Sequence, residues 1–126
     1  MLALTLYCDE HSRIVGLCAR GHADFAQYGE DIVCAAVSAI LQAARLGLEH
    51  HARVPLEVEQ RSGQMVLHWS EEVAELESVR AIVATAALAV EAIAGRFPEH
   101  VRLRRRRISV QSGRRGPRAG NKPGRR

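Results

Sequence analysis

Apolar and polar positions alternate with a period of two at residues 2–8 and 54–60, and three further short apolar segments accompany them. This period is typical of half-buried strands, and we predict strands at 2–8, 13–20, 54–60, 64–69 and 100–110. The polar link DEHS at 9–12 and the Ser62-Gly63 pair separate neighbouring strands by a few turn-forming residues. The first four strands are therefore expected to form two hairpins.

Two longer segments have helical spacing of their apolar residues. Residues 31–50 form the first, and Asp31 suits its N-cap. Ser70 suits the N-cap of the second, which extends to about residue 94 and ends before Pro98. The element order is then ββαββαβ. This order predicts an α+β fold in which two helices pack on a mostly antiparallel sheet.

The charge of the chain is divided between two regions. Residues 1–98 carry 7 Arg and no Lys against 13 acidic residues, a net charge of −6. Residues 99–126 carry 10 Arg and one Lys against one Glu, a net charge of +10. Gly, Pro and Arg dominate beyond Ser112, a composition typical of disorder. We predict one folded domain at 1–110 and a disordered, Arg-rich tail at 111–126.

Composition excludes several classes of protein. The three cysteines lack the spacing of a disulfide framework, and no CxxC motif is present. The N-terminus has no basic region ahead of a long apolar run, so we expect no signal peptide. No run reaches the ~18 uncharged apolar residues of a membrane span. We expect a cytoplasmic protein that needs neither a membrane nor a metal or other cofactor.

Candidate chemistry is concentrated between residues 21 and 39. If Asp31 caps the helix, Cys34 lies at its third position, where free backbone N–H groups and the helix dipole favour a thiolate. His22 follows the second strand and could reach Cys34 across a short loop, and Ser38 lies one turn beyond Cys34. The alternative is that Cys34 only packs the core, as free cysteines often do.

The segment GHADFAQYGEDIVCAAVSAI (21–40) resembles the signature of the Prp family, the bacterial ribosomal-processing cysteine proteases. Twelve positions match in place: Gly21, His22, Ala23, Gly29, Asp31, Ile32, Val33, Cys34, Ala35, Ala36, Val37 and Ser38. The ββαββαβ order is similar to that of the family as well.

The resemblance implies a cysteine endopeptidase that removes the N-terminal extension of large-subunit ribosomal protein 27 during ribosome assembly. It implies Cys34 as the nucleophile and His22 as the general base. Asp31 and Ser38 are predicted as supporting residues, Asp31 by orienting His22 and Ser38 by donating a hydrogen bond. The loop at 24–30 would move over the substrate, with Gly29 as a hinge and with Phe25 and Tyr28 in contact with an apolar substrate segment. Gly21 is also predicted as a substrate-loop residue.

Two further expectations concern partners. The family forms homodimers, and residues 32–41 are apolar nearly all round the predicted helix, which favours a central helix or one that a second subunit covers. The arginines of residues 102–126 indicate either a contact with ribosomal RNA or a basic extension of little consequence in an arginine-biased proteome. The alternative to a protease is therefore a non-catalytic, ribosome-associated RNA-binding protein that uses the Arg-rich tail.

Overall fold

A computed structural model describes residues 1–21 and 28–109 of the chain, with the backbone alone for residues 28–31. The predicted tail at 111–126 lies outside the described residues. The strands are β1 (Leu2–Cys8), β2 (Ile14–Arg20), β3 (Glu57–Arg61), β4 (Gln64–His68) and β5 (Val101–Arg107). The helices are α1 (Tyr28–Leu46), which continues into a π-helical segment (Gly47–His51), α2 (Glu71–Ala74) and α3 (Glu77–Arg96).

The predicted order ββαββαβ is confirmed, with the second helix interrupted. Ser70 caps α2 as predicted, because its hydroxyl accepts a hydrogen bond from the Val73 N–H. Leu76 then has extended backbone angles, which separate α2 from α3. Strand β3 begins at Glu57 rather than at Val54, because Pro55 has no N–H for a sheet hydrogen bond and Val54 N–H donates to Leu48 of the π-helical segment.

The five strands form one sheet in the order β3-β4-β2-β1-β5. All neighbours are antiparallel except β1 and β5, which are parallel, so the prediction of a mostly antiparallel sheet is confirmed. Leu6, Leu17 and Leu67 lie in register across the three central strands and are at most 5% exposed. They face Leu41 of α1 and Val90 of α3 in one apolar core.

Helix α1 is buried on one side only. Val33, Val37 and Leu41 pack into the core, whereas Ile32 is 71% exposed and Leu46 is 52% exposed. Of the two predicted alternatives, the helix is thus not central within the subunit, and an apolar outer face remains.

Both long helices are apolar enough to be compared with membrane spans. Ile32–His51 and Glu77–Arg96 meet the length and composition of a spanning helix. Core helices of water-soluble domains meet this criterion as well, and both helices here contribute residues to the core against the sheet. We therefore assign them to the core of the domain.

The turn between β1 and β2 is organised by a buried carboxylate. Asp9 is fully buried, and its Oδ1 accepts hydrogen bonds from the backbone N–H groups of His11 at 2.8 Å and Arg13 at 2.9 Å. Its Oδ2 accepts a hydrogen bond from Arg13 Nε at 3.0 Å, and Arg13 Nη1 lies 2.7 Å from Glu75. Burial raises the pKa of Asp9, but the Arg13 and His11 N–H groups and the Arg13 guanidinium outweigh it and hold this pKa below its ordinary value.

We expect Asp9→Asn to destabilise the fold by about 2 kcal/mol at pH 7. The substitution removes the negative charge that pairs with the Arg13 guanidinium and strengthens the hydrogen bonds from the His11 and Arg13 N–H groups. Because the pKa of Asp9 is lower in the folded protein than in the unfolded chain, the ionised carboxylate stabilises the fold. This stabilisation is fully present above the unfolded-state pKa of about 4, and it is lost as the pH falls through the folded-state pKa. Urea unfolding at pH 7 and at about pH 2.5 checks this result, because the difference between the two proteins should shrink in acid. Glu10→Gln, at an exposed neighbouring position, is the control; an Asp9→Asn cost that stays constant with pH would contradict the assignment.

Candidate active site

Cys34 lies in the second turn of α1, not in the first. The helix begins at Tyr28, three residues before the predicted N-cap, so Cys34 is its seventh residue. The prediction that Asp31 caps this helix is therefore wrong. Glu30 and Asp31 instead occupy early helical positions, where acidic residues interact favourably with the helix dipole. The free N–H groups belong to residues 28–31, and Cys34 is too far along the helix to gain the predicted help from them.

Cys34 is half-buried and borders an open cavity of about 170 Å³. Ser38, one turn farther along α1, borders the same cavity, as its spacing predicted. The apolar part of the wall contains Leu2, Val37 and Met65. The structure therefore brings Cys34 and Ser38 to the wall of one cavity that a small side chain could fill.

Gly21 directly follows strand β2 and borders this same cavity. Its φ is +116°, and a Cβ atom there would collide with the Met1 carbonyl oxygen. Its N–H donates a 2.9 Å hydrogen bond to the Gly63 carbonyl in the turn between β3 and β4. Only glycine fits this position, and the chain is thereby held against the cavity immediately before His22. His22 and Phe25 lie outside the described residues.

The loop predicted at 24–30 is shorter than expected at its C-terminal end. Tyr28 and Gly29, predicted as substrate-loop residues, form the first turn of α1. Asp31 belongs to the same helix, so its predicted role in orienting His22 must be exerted from a helical position. The loop prediction failed here because the sequence YGED has no residue that forbids a helix, and the acidic pair favours an early start.

Four polar residues border the cavity that were not singled out from the sequence: Gln42, Gln60, Arg61 and Gln64. Gln42 lies two turns beyond Cys34, and the positions Cys34, Ser38 and Gln42 share one helix face. That spacing was sufficient to find Gln42. The other three come from the β3–β4 hairpin, whose approach to α1 is a tertiary contact that no local pattern reveals. The amides of the glutamines can both donate and accept hydrogen bonds.

The remaining cysteines and candidate metal ligands do not join this cavity. Cys8 and Cys18 are buried, as expected for packing residues. Over residues 1–21 and 28–109 no group of three or more His, Cys, Asp or Glu side chains is placed to hold a metal ion. The chemistry available in the described part of the cavity is that of a thiol, a hydroxyl, several amides and the Arg61 guanidinium.

Comparison with known proteins agrees with this arrangement. The family described as cysteine protease Prp matches residues 1–102. The fold is similar to that of the S. aureus ribosomal processing protease Prp in complex with a substrate peptide, with a TM-score of 0.77 and 19% identity over 84% of this chain and 100% of that chain. It is also similar to SMU.848 from Streptococcus mutans, with a TM-score of 0.73 and 25% identity over 86% and 96% of the two chains.

No curated protein sequence matches the chain. The family match nevertheless covers both halves of the 21–40 motif and all elements up to the start of β5. It includes Gly21 and Cys34, which the fold brings to one cavity. The chain belongs to the Prp family of cysteine proteases.

Proposed function

We propose that this protease removes the N-terminal extension of large-subunit ribosomal protein 27, with Cys34 as the nucleophile and His22 as the general base. The observation that carries the proposal is the position of Cys34 at an open cavity, beside the glycine that directly precedes His22. The similar S. aureus protein is a ribosomal processing protease, and its structure contains a substrate peptide. This similarity supports a ribosomal protein as the substrate.

The backbone around Gly21 supports the pairing of His22 with Cys34. Gly21 and Cys34 border one cavity of about 170 Å³, although 13 positions separate them along the chain. The Gly21 N–H bond to Gly63 fixes the end of β2. The chain therefore continues to His22 from the rim of the cavity that Cys34 borders, which supports the pairing of these two residues.

The reaction follows from these two groups. His22 accepts the thiol proton of Cys34, and the sulfur attacks the scissile carbonyl carbon. The tetrahedral intermediate collapses with cleavage of the C–N bond, and the imidazolium of His22 gives its proton to the leaving amine. Water, deprotonated by His22, then attacks the thioester; the acid product leaves, and the thiol is restored.

The developing oxyanion needs hydrogen-bond donors close to Cys34. Ser38 borders the same cavity as Cys34, and its hydroxyl can donate a hydrogen bond. The free N–H groups at residues 28–31 lie roughly 5 to 9 Å back along the axis of α1, from a rise of about 1.5 Å per residue. We therefore assign this role among the predicted donors to Ser38, because the helix N-terminus lies too far from Cys34 to contribute.

The cavity wall suits a peptide. Leu2, Val37 and Met65 present apolar surface for a substrate side chain, while Gln42 and Gln64 present amides that can bond to a peptide backbone. Because ribosomal proteins are made and assembled in the cytoplasm, we place the enzyme there.

A second candidate function is a non-catalytic RNA-binding protein, in which Cys34 only packs. Two observations favour it: Cys34 contacts the apolar core, and β5 carries five arginines. Labelling with a thiol-reactive probe at neutral pH distinguishes the two functions. The protease requires fast labelling of Cys34 that slows in His22→Ala; a slow Cys34 that is indifferent to this change favours the RNA-binding protein.

We also assign a homodimer, formed through the outer face of α1. Its exposed apolar residues repeat at alternating intervals of four and three: Ile32, Ala36, Ala39, Ala43 and Leu46. Apolar residues at these intervals form the line of contact, or seam, between two helices that pack side by side. A second subunit on this face would cover the outer side of the helix that carries Cys34.

Ala39→Glu is expected to dissociate the dimer, because it introduces a charge into the middle of this seam. Sedimentation equilibrium should show at least a roughly tenfold weaker association, equivalent to a loss of about 1.4 kcal/mol. Ala92→Glu places the same change on an exposed position of α3 and is the matched control. A monomeric wild-type protein, or equal weakening by both variants, would refute the assignment.

A further inference from the structure

The sheet has one face that the described helices leave uncovered. Helices α1 and α3 pack on the face that carries Leu6 and Leu17, together with the main core. The opposite face has its own small apolar cluster of Cys18 and Val66 with Tyr7 against it, and all three residues belong to strands. In an antiparallel or mixed sheet such an open face is available to solvent or to a partner.

Three arginines of β5 lie on this open face. In the parallel pairing of β1 with β5, Arg102 lies beside Ala3, Arg104 beside Thr5 and Arg106 beside Tyr7. Side chains alternate along a strand, so these three share a face and Arg105 points to the other one. The position of Arg105 confirms this alternation, because its Nη2 lies 2.7 Å from the Glu91 carboxylate of α3.

Arg20 extends the same basic surface onto β2. It lies opposite Ala3, whose other neighbour is Arg102, so two arginines flank one small residue. Arg20, Arg102, Arg104 and Arg106 are all exposed. Within residues 1–21 and 28–109 none of the four forms a salt bridge or a side-chain hydrogen bond. We call these four residues the arginine patch.

Negative charge on the open face is confined to the opposite edge of the sheet. Glu57 and Glu59 belong to β3. Strand β3 lies four strand spacings from β5, a distance of roughly 19 Å at about 4.8 Å per spacing. His68 lies beside Glu57, and burial lowers the pKa of this histidine, so it adds no positive charge at neutral pH. The open face is thus basic along β5 and at Arg20 of β2, whereas β3 carries Glu57 and Glu59 together with Arg61, which pairs with Glu59.

We propose that the arginine patch binds the phosphate backbone of single-stranded RNA. Alternate residues of a strand are about 6.6 Å apart, a spacing comparable with that of successive phosphates in one nucleic-acid strand. Arginine guanidinium groups recognise phosphate through paired N–H donors. Tyr7, half-buried beside Arg106, offers an aromatic ring of the kind on which bases stack at open sheet faces.

The three β5 arginines lie away from the peptidase cavity, whose Cys34 and Val37 lie on the helix-covered side of the sheet; Arg20 lies beside it, because it is paired with Gln64 of the cavity wall. The arginine patch also differs from the tail at 111–126, since all four arginines belong to regular strands. The proposal therefore does not depend on the peptidase reaction. β5 is an edge strand, where charge can also serve simply to prevent pairing with other sheets, and a binding experiment separates these two roles.

The test uses the full chain and a fluorescent polyuridine RNA of about 20 nucleotides, with binding measured between about 50 and 200 mM salt. The triple variant Arg102→Gln, Arg104→Gln and Arg106→Gln should bind at least roughly tenfold more weakly at low salt. Its log–log slope of affinity against salt should be smaller by about 2, since each single-strand phosphate contact contributes about 0.7. The control is Arg53→Gln, Arg80→Gln and Arg96→Gln, which removes three exposed arginines outside the patch.

Weaker binding and a smaller slope in the patch variant, with the control close to wild type, would support the proposal. Equal losses in both variants would overturn it in favour of non-specific attraction by total charge. Wild-type binding by the patch variant would overturn it as well, and would leave any RNA contact to the tail. Displacement of RNA by polyglutamate at matched charge would point to an acidic protein as the partner and refute RNA. Circular dichroism and peptide cleavage verify that both variants are folded.

Discussion

Replacing Cys34 with alanine is expected to lower kcat/KM for substrate cleavage by roughly four orders of magnitude or more, as losses of covalent nucleophiles do. The physical reason is that no other nucleophile in the described part of the cavity can substitute for the thiol. Ser38 has a hydroxyl, which is far less nucleophilic than a thiol unless a base activates it. The variant removes one sulfur atom from a half-buried position, so the fold should be retained.

The matched control is Cys18→Ala, which removes the same atom from a buried position on the open face of the sheet. It should lose about 1 kcal/mol of stability through the small cavity that it creates and should keep wild-type cleavage. Cleavage is read by chromatography of a substrate peptide, and folding is read by thermal unfolding. A Cys34→Ala protein with more than a few per cent of wild-type activity would show that Cys34 is not the nucleophile.

The second large effect is expected for His22→Ala, which should reduce kcat/KM by roughly a thousandfold or more, within the range of general-base contributions. Without the imidazole, no group accepts the thiol proton or protonates the leaving amine. The wild-type pH profile should rise between about pH 5 and pH 8, where a histidine titrates, and the residual activity of the variant should lack this rise. This change in profile distinguishes a base from a residue that only shapes the loop.

His11→Ala is the matched control for this variant. His11 is exposed at the β1–β2 turn and contacts Arg13 rather than the cavity, so its loss should leave the pH profile unchanged. Added imidazole should partly restore cleavage by His22→Ala, since a free base can enter an open cavity. If His22→Ala cleaves at the wild-type rate with the wild-type profile, another group acts as the base.

Much of the fold could be predicted from local patterns. Alternation along β1 placed Leu2, Leu4 and Leu6 in the core, and all three are less than 9% exposed. Ser70 was identified correctly as a helix cap. The start of α1 could not be predicted as well, because Tyr28 to Asp31 tolerate both loop and helix. Asp31 is as suitable within the first turns as at the cap.

The site was predictable only in part. The spacing of Cys34 and Ser38 on one helix face was sufficient to place them together. The approach of Gly63 and Gln64 to Gly21 depends on the pairing of β2 with β4, two strands that lie more than forty residues apart in sequence. The open sheet face likewise required the strand order. The alternation of arginines in β5 becomes informative only when one face is known to be covered by α3.

The most direct test of the central claim is the mass of the products. The purified protein is incubated with large-subunit ribosomal protein 27 that carries its N-terminal extension, and the mixture is analysed by mass spectrometry. We predict two products whose masses add up to the substrate plus one water, with a single cut at the extension, formed by wild type and by Cys18→Ala but not by Cys34→Ala. An intact substrate in the presence of folded wild-type protein, or the same cut made by Cys34→Ala, would contradict the account.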